Sequence, residues 1–475
     1  MRQYKRPRKK VWATALALIA GLSTTSGAFA EPTREELQAK LEKLEAQVQG
    51  LQKAQKSYDT QDIDATVAAV LKDADRHSLL VDGSGVTAGF NVRKGFFVTN
   101  EDQSFYLHPT LTFQFRGVAD YRQAGKNGAS DTETGFEVHR AKFGFDGRFG
   151  KDIAYKFLWQ DPTGGSGGTP ALQYGYLQCT VAHGVLGGDF AIRAGQDKDI
   201  VSKEEVIGDV RQLFTERSLA NFLLGGGALG PEVQAVNFML VGNDNPLHLQ
   251  LALEDGTKTS NTDFTNTLTT TTIVPPGLTT IKSSHVDFGV AGRVDYKFFG
   301  DWSATEDLNG VWTKNDLLVI GGGADFTQSD GSNAIRYSVD VQYEMAHKLV
   351  VYAAGYGAFI DLRNLAAGAP TNRKDYGALV EAGYFVTPAW ELIARYSVTK
   401  FDKNFKVGGT DTFHEIAAGV NFFMGKDGSF GDRAKVTFDI TYLPNGSPVF
   451  PAGNFLASPN KKDEIVARAQ LQLWL

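Results

Sequence analysis

The sequence predicts an all-β protein closed into a transmembrane antiparallel β-barrel, and three observations carry that prediction. Apolar and polar residues alternate, residue by residue, over many long stretches from about Gly95 to Leu475. The connections between those stretches run short on one side and long on the other, as they do in outer-membrane barrels. Beyond the first thirty residues there is no uninterrupted apolar run of the ~18 or more that a membrane-spanning helix requires. Composition agrees: among 475 residues, 42% are hydrophobic and 11% aromatic, with 52 glycines and only 15 prolines, which is too apolar for a disordered chain.

Each strand is justified by its period of two, the mark of one apolar and one polar face. Leu111, Phe113, Phe115, Gly117, Ala119 and Tyr121 are separated by Thr112, Gln114, Arg116 and Asp120. Ala141, Phe143 and Phe145 alternate with Arg140, Lys142 and Asp146, and Tyr155, Phe157 and Trp159 with Lys156 and Gln160. Further along, Val286, Phe288, Val290, Val294 and Tyr296 alternate with Asp287, Arg293 and Asp295. The pattern returns at Ile335–Tyr343, Trp390–Val398 and Val436–Tyr442, and it ends the chain at Ala467–Leu475. About seventeen candidate strands result, many near the ~10 residues a tilted membrane strand needs. Turns such as Met345–Lys348 are tight, whereas Asp255–Lys282, Asp361–Asp375 and Pro444–Lys461 are long. A soluble sandwich would use shorter strands, and a propeller would show a blade-length repeat that is missing here.

The N-terminus reads differently. Arg2, Lys5, Arg6, Arg8, Lys9 and Lys10 precede an apolar stretch from Val11 to Leu22, and Ala28-Phe29-Ala30 fits a cleavage site before Glu31. This is the three-part pattern of a secretory signal over 1–30. Subtracting its six basic residues from 48 leaves 42 against 54 acidic ones, a formal charge of −12. That balance argues against nucleic acid as a partner. Over 31–60 the spacing of Leu37, Leu41, Leu44, Val48 and Leu51 predicts a short coiled-coil helix, with Thr33 and Glu36 as its capping box. At ~1.5 Å per residue its reach is only about 35 Å, short for a tether to the cell wall, so clamping of subunits is the better reading. A linker, 61–90, leads to the barrel domain, 91–475.

If the apolar face meets lipid, the polar face lines a wet interior, because a charge facing mid-bilayer costs ~2–4 kcal/mol. Strand register places Arg116, Arg140, Lys142, Lys156, Arg193, Arg293, Arg336, Arg395, Lys435 and Arg468 on that face. Asp120, Asp146, Asp287, Asp295, Asp340, Glu391 and Asp439 share it, so many of these cations have carboxylates to pair with. Strict alternation puts His139 on the apolar face. One connection, Asp197 to Pro231, mixes charge with apolar residues and has two readings, a loop folded into the lumen that narrows it or an outer loop at the rim or in a subunit contact; it contains Lys198, Ser202, Lys203, Glu204, Glu205, Arg211, Glu216 and Arg217. Rings of Arg and Lys select anions in a pore, and guanidinium grips phosphate with two parallel bonds. The candidate anion-binding and pore-lining residues are therefore Arg116, Arg140, Lys142, Arg193 and Arg293 on the wall and Lys198, Lys203, Arg211 and Arg217 in the connection. No catalytic site, metal site or cofactor is expected. Cys179 is the single cysteine, the eight histidines form no spaced pair, and the Gly-rich runs do not sit between a strand and a helix.

Several segments, in order, resemble the phosphate-selective porin O and P family of Gram-negative outer membranes. They are His139-Arg140-Ala141-Lys142-Phe143-Gly144-Phe145-Asp146-Gly147, Ala194-Gly195-Gln196 through Glu216-Arg217-Ser218, Glu381-Ala382-Gly383-Tyr384-Phe385 with Trp390-Glu391-Leu392-Ile393-Ala394-Arg395-Tyr396, and Gly419-Val420-Asn421-Phe422-Phe423. The resemblance implies about 16 strands, so one of the seventeen candidates, Gly95–Val98, is surplus. It also implies a homotrimer, a third loop folded inward, and passive diffusion of inorganic anions such as phosphate or polyphosphate through a basic constriction. The expected location is the outer membrane, with its lipid as a partner. The alternatives are a porin for another solute, such as a sugar or carboxylate, or an outer-membrane anchoring protein.

Overall fold

The structure is a computed structural model that describes residues 85–92, 95–123, 131–161, 170–226, 231–256, 267–268, 284–329, 332–363, 370–448 and 462–475. The leader and the expected coiled-coil helix over 31–60 lie outside the described residues, as does the linker up to residue 84.

In chain order the strands are β1 (Val86–Asn91), β2 (Gly95–Asn100), β3 (Phe105–Gln123), β4 (Asp131–Phe149), β5 (Ile153–Gln160), β6 (Ala171–Val185), β7 (Gly188–Lys198), β8 (Glu232–Val241), β9 (Leu247–Glu254), β10 (Thr267–Leu268), β11 (Ser284–Phe299), β12 (Leu317–Ser329), β13 (Ser332–Met345), β14 (Leu349–Leu362), β15 (Asn372–Thr387), β16 (Trp390–Lys400), β17 (Thr412–Phe423), β18 (Ala434–Leu443) and β19 (Lys462–Trp474). β3–β9 and β11–β19 form a closed antiparallel ring of 16 strands. It shuts where β19 pairs with β3, Leu471 opposite Phe115 and Gln470 opposite Arg116. Closure leaves no unpaired strand edge in the bilayer. The surplus segment at Gly95 belongs to β2, which forms a hairpin with β1 and pairs with β3 through Val98 and Thr99.

The alternation read from sequence governs most of the wall. Along β13, Arg336, Ser338, Asp340 and Gln342 are buried while Ile335 and Val339 are exposed; along β19, Arg468, Gln470 and Gln472 are buried while Leu471 and Leu473 are exposed. The exposed apolar side chains form the lipid-facing surface that such a barrel requires.

β-Bulges reverse the expected facing at His139 and at Asp287. Gln114 pairs with Arg140 and the next residue, Phe115, with Val138, so His139 is the extra residue. A bulge lets neighbouring side chains share one face. His139, expected outside, is therefore buried inside beside Arg140. A shift between Val286 and Phe288 on β11 buries Val286 and exposes Asp287, the reverse of the expected facing.

The interior is also less uniformly polar than the alternation implies. On β14 it is Tyr352, Ala354, Tyr356 and Ala358 that are buried, with Leu379 of β15, Ile393 of β16 and Ala417 of β17. They pack against Ile207, Leu213, Phe214, Ala220 and Leu224 of the connection between β7 and β8. That connection is the third long loop, loop 3, and it folds into the barrel as expected.

One end of the barrel carries mostly tight turns, such as 150–152, 186–187, 346–348 and 388–389. The exception that matters is 300–316, between β11 and β12, which also reaches inward: Leu308 joins the loop 3 cluster and its N–H donates to the Arg211 carbonyl at 2.9 Å.

Loop 3 lies close against the wall at Gly323 of β12, where a Cβ would lie 2.5 Å from the Val201 carbonyl oxygen and 2.8 Å from that of Ile200. Gly323→Val should therefore displace the loop root, at a cost of about 1–3 kcal/mol. The thermal midpoint of the folded barrel should fall clearly below that of Gly322→Ala, a change on the opposite face; equal midpoints would contradict this placement.

Candidate functional site: the inner face of loop 3 and the basic wall

Loop 3 begins at Asp199, directly after β7. Ser202 caps a single helical turn, α1 (Lys203–Val206), by accepting the Glu205 N–H at 3.4 Å. The chain then passes through a short turn at Asp209–Arg211 and another at Asn221–Gly225. Backbone inside a barrel needs hydrogen-bond partners, and the wall provides them. Arg293 of β11 and Ser338 of β13 donate to the Val201 carbonyl at 3.2 and 2.6 Å. Lys435 of β18 donates to the Gln212 carbonyl at 2.8 Å and Asn421 of β17 to that of Leu213 at 3.0 Å. Arg395 of β16 donates to the Glu216 carbonyl at 2.9 Å. In the other sense, Asp439 accepts the Thr215 N–H at 3.2 Å and Glu415 the Leu219 N–H at 2.8 Å.

On the opposite side, loop carboxylates meet the basic wall. Glu216 reaches Arg116 and Arg140 (Nη2 at 3.2 Å), and His139 Nε2 lies 2.8 Å from it. Asp209 pairs with Lys142, with Arg217 at 2.6 Å and with Arg140 at 3.5 Å. Glu205 takes Lys198 at 3.1 Å and Arg217 at 3.5 Å, and Glu137 of β4 takes Arg116. Five of the expected residues, Arg116, Arg140, Lys142, Lys198 and Arg217, are thus gathered into one network with four carboxylates, a surplus of one positive charge.

Burial opposes ionisation of Asp209, yet Lys142, Arg140 and Arg217 hold its carboxyl well below the usual range. Glu216 is likewise held low against burial, by His139, Arg140 and Arg116.

The remaining candidates are dispersed. Arg193 on β7 pairs with Asp197, donates to Gln178 at 2.8 Å and lies over the Tyr176 ring at 4.3 Å. Arg211 reaches the tight-turn end, pairing with Glu306 of 300–316 at 2.8 Å and facing the Trp474 ring at 5.0 Å. Arg293 is on the far wall between Asp295 (2.7 Å) and Asp340 (2.9 Å). Lys203 is buried near the same acids, and burial depresses its ammonium pKa while Asp295 opposes that.

The far wall repeats this arrangement. Arg336 is bracketed by Asp199 and Asp325, and Arg395 by Glu381 at 2.7 Å and Glu415 at 3.5 Å. The interior is therefore polarised, with cations in surplus on β3–β7 and carboxylates in surplus on β11–β17. Sequence reasoning missed Asp209, Glu137 and His139 as partners of the basic wall. Only the inward turn of loop 3 brings Asp209 there, and only the bulge turns His139 in.

The chain belongs to the phosphate-selective porin O and P family, whose pattern matches residues 111–431. Among solved structures it is similar to the anion-selective porin from Comamonas acidovorans, at 12% identity and a TM-score of 0.51, covering 78% of this chain and 100% of that one. It is also similar to Salmonella typhi OmpF, solved in complex with daunomycin, at 14% identity and a TM-score of 0.50, covering 78% and 98%. No curated protein matches it. The protein is accordingly an outer-membrane porin, located in the bacterial outer membrane.

Glu204 gives this loop a pH dependence. Its carboxyl accepts the Ser218 N–H at 2.6 Å and the Tyr356 hydroxyl at 3.2 Å. Burial, then the nearby Glu381, push its pKa up to about 7, with Arg395 opposing. An acid with a raised folded pKa favours the folded loop while protonated, and that contribution is lost as pH rises from the ordinary 4.5 through about 7. Open-channel current noise should therefore grow between weakly acidic and weakly basic pH, and Glu204→Gln should flatten the rise. Noise independent of pH in the unmodified channel would contradict this.

Proposed function

We propose that this porin passes small inorganic anions, with phosphate as the foremost candidate, by passive diffusion along the basic side of its interior. The observation that carries the reading is the convergence of Lys142, Arg140 and Arg217 on the single carboxylate of Asp209. The wall facing loop 3 keeps a positive surplus there even after its ion pairs are counted. Lys156 and Arg193 extend the basic face along β5 and β7. A distributed and partly neutralised set of cations attracts an anion without trapping it, which conduction requires. The nine residues Arg116, Arg140, Lys142, Arg193, Lys198, Lys203, Arg211, Arg217 and Arg293 fall into two roles in this reading. The first three, with Arg193, Lys198 and Arg217, form the basic face, while Lys203, Arg211 and Arg293 anchor loop 3 and the 300–316 segment.

A sugar pore would offer bare aromatic faces. Tyr174 and Tyr176 are in position on β6, but Lys156 and Arg193 each cover one of those rings at 4.3 Å. This favours anions over sugars. A homotrimer in outer-membrane lipid is the assembly the family resemblance implies.

The test is the reversal potential of the purified channel in a planar bilayer under a KCl gradient, followed by addition of phosphate. Anion preference is expected, with phosphate reducing the chloride current. Arg140→Ala removes the one-charge surplus of the network and should shift the reversal potential towards zero while the barrel still folds. Cation preference, or no shift in Arg140→Ala, would sink the reading.

A further inference from the structure

At the root of loop 3, three buried carboxylates from three elements converge: Asp199 of the loop, Glu254 of β9 and Asp325 of β12. One oxygen of each lies within 4.8 Å of the others. The nearby cation is Arg336, which pairs with Asp199 and, at 3.1 Å, with Asp325. Three carboxylates against one guanidinium leave a formal charge of −2 in a place where none of the three acids is more than 7% exposed. Burying uncompensated charge is expensive.

Glu254 marks where the compensation is missing. Both of its carboxylate oxygens are buried and accept no hydrogen bond. Its partners in the cluster are served: Asp199 accepts the Val201 N–H at 3.2 Å and Asp325 accepts the Thr327 hydroxyl at 3.2 Å. Gly289 of β11 lets Glu254 and Gly256 pack directly against its backbone, where a Cβ would come within 2.7 Å of Gly256 Cα and 2.9 Å of Glu254 Oε1. The result is a cluster of oxygen ligands from three elements in which the Glu254 carboxylate has no donor of its own.

We propose that Asp199, Glu254 and Asp325 form a divalent-cation site of the calcium class that fastens the root of loop 3 to β9 and β12. A hard cation with oxygen ligands at ~2.4 Å can bridge oxygens spaced as these are, and it accepts the irregular geometry that three separate elements impose. Its two positive charges balance the −2 of the cluster, and Glu254 supplies the two free oxygens for a bidentate contact. Asp199 immediately follows β7, so an ion here links the start of the constricting loop to the far wall.

The test uses the full chain folded in detergent micelles free of lipopolysaccharide, titrated with calcium chloride by isothermal calorimetry at neutral pH. One saturable site per chain is expected. Glu254→Gln should weaken it by more than about tenfold, because affinity in such sites follows ligand charge. Calcium should also raise the thermal midpoint of the unmodified barrel and leave that of Glu254→Gln unchanged. The variant relieves repulsion among acids, so it should fold; if it does not, the titration of the unmodified chain alone decides. Absence of a saturable site there would overturn the proposal and leave the cluster to share a proton instead. Equal affinity in Glu254→Gln would overturn it as well.

Discussion

A stretch of backbone carried through the middle of a barrel must find hydrogen-bond partners there, and most of this interior is arranged to meet that demand. Loop 3 has almost no secondary structure of its own to satisfy its amides and carbonyls. The wall does so with long polar side chains: Arg293, Ser338, Arg395, Asn421 and Lys435 donate to its carbonyls, while Glu415 and Asp439 accept its N–H groups. An unmet buried group costs about 1–3 kcal/mol, so losing any one of these contacts is felt. Charged residues that look like a path for solutes are in large part structural.

This constraint explains why the interior is both charged and apolar. Apolar residues on the inner faces of β14–β17 receive Leu213, Phe214 and Leu224, which holds one flank of the loop by packing. Ion pairs hold the other flank against β3 and β4. Each buried pair gains little over an apolar alternative, yet breaking one leaves an uncompensated charge, at a cost of ~3–5 kcal/mol. The arrangement therefore fixes the position of the loop more than it adds stability. It also divides the interior into a cationic and an anionic side, and the loop's own acids, Asp209 and Glu216, occupy the cationic one.

Much of the barrel was legible in the sequence, because a lipid-facing strand must alternate and a one-residue slip would expose charge to the bilayer. Arg116, Arg336 and Arg468 are inward where alternation places them. The surplus strand at Gly95 and the inward fold of the loop after Lys198 were expected from the family resemblance, not from the alternation. His139 and Asp287 were not legible, since a bulge is a local choice of register that leaves no periodic trace. Nor were the inner tyrosines of β14, which follow from what loop 3 needs to pack against. The least legible feature was partnership: Asp209 lies 67 residues from Lys142 and 69 from Arg140, and only the fold brings them together.

The most direct test of this account is the single-channel behaviour of the Asp209→Asn, Glu216→Gln double variant in a planar bilayer. If the two carboxylates latch loop 3 to the basic wall, their loss should free the loop and uncover Arg116, Arg140 and Lys142. The open channel should then become noisier, and its preference for anions should increase. A variant with unaltered conductance, noise and selectivity would contradict the account.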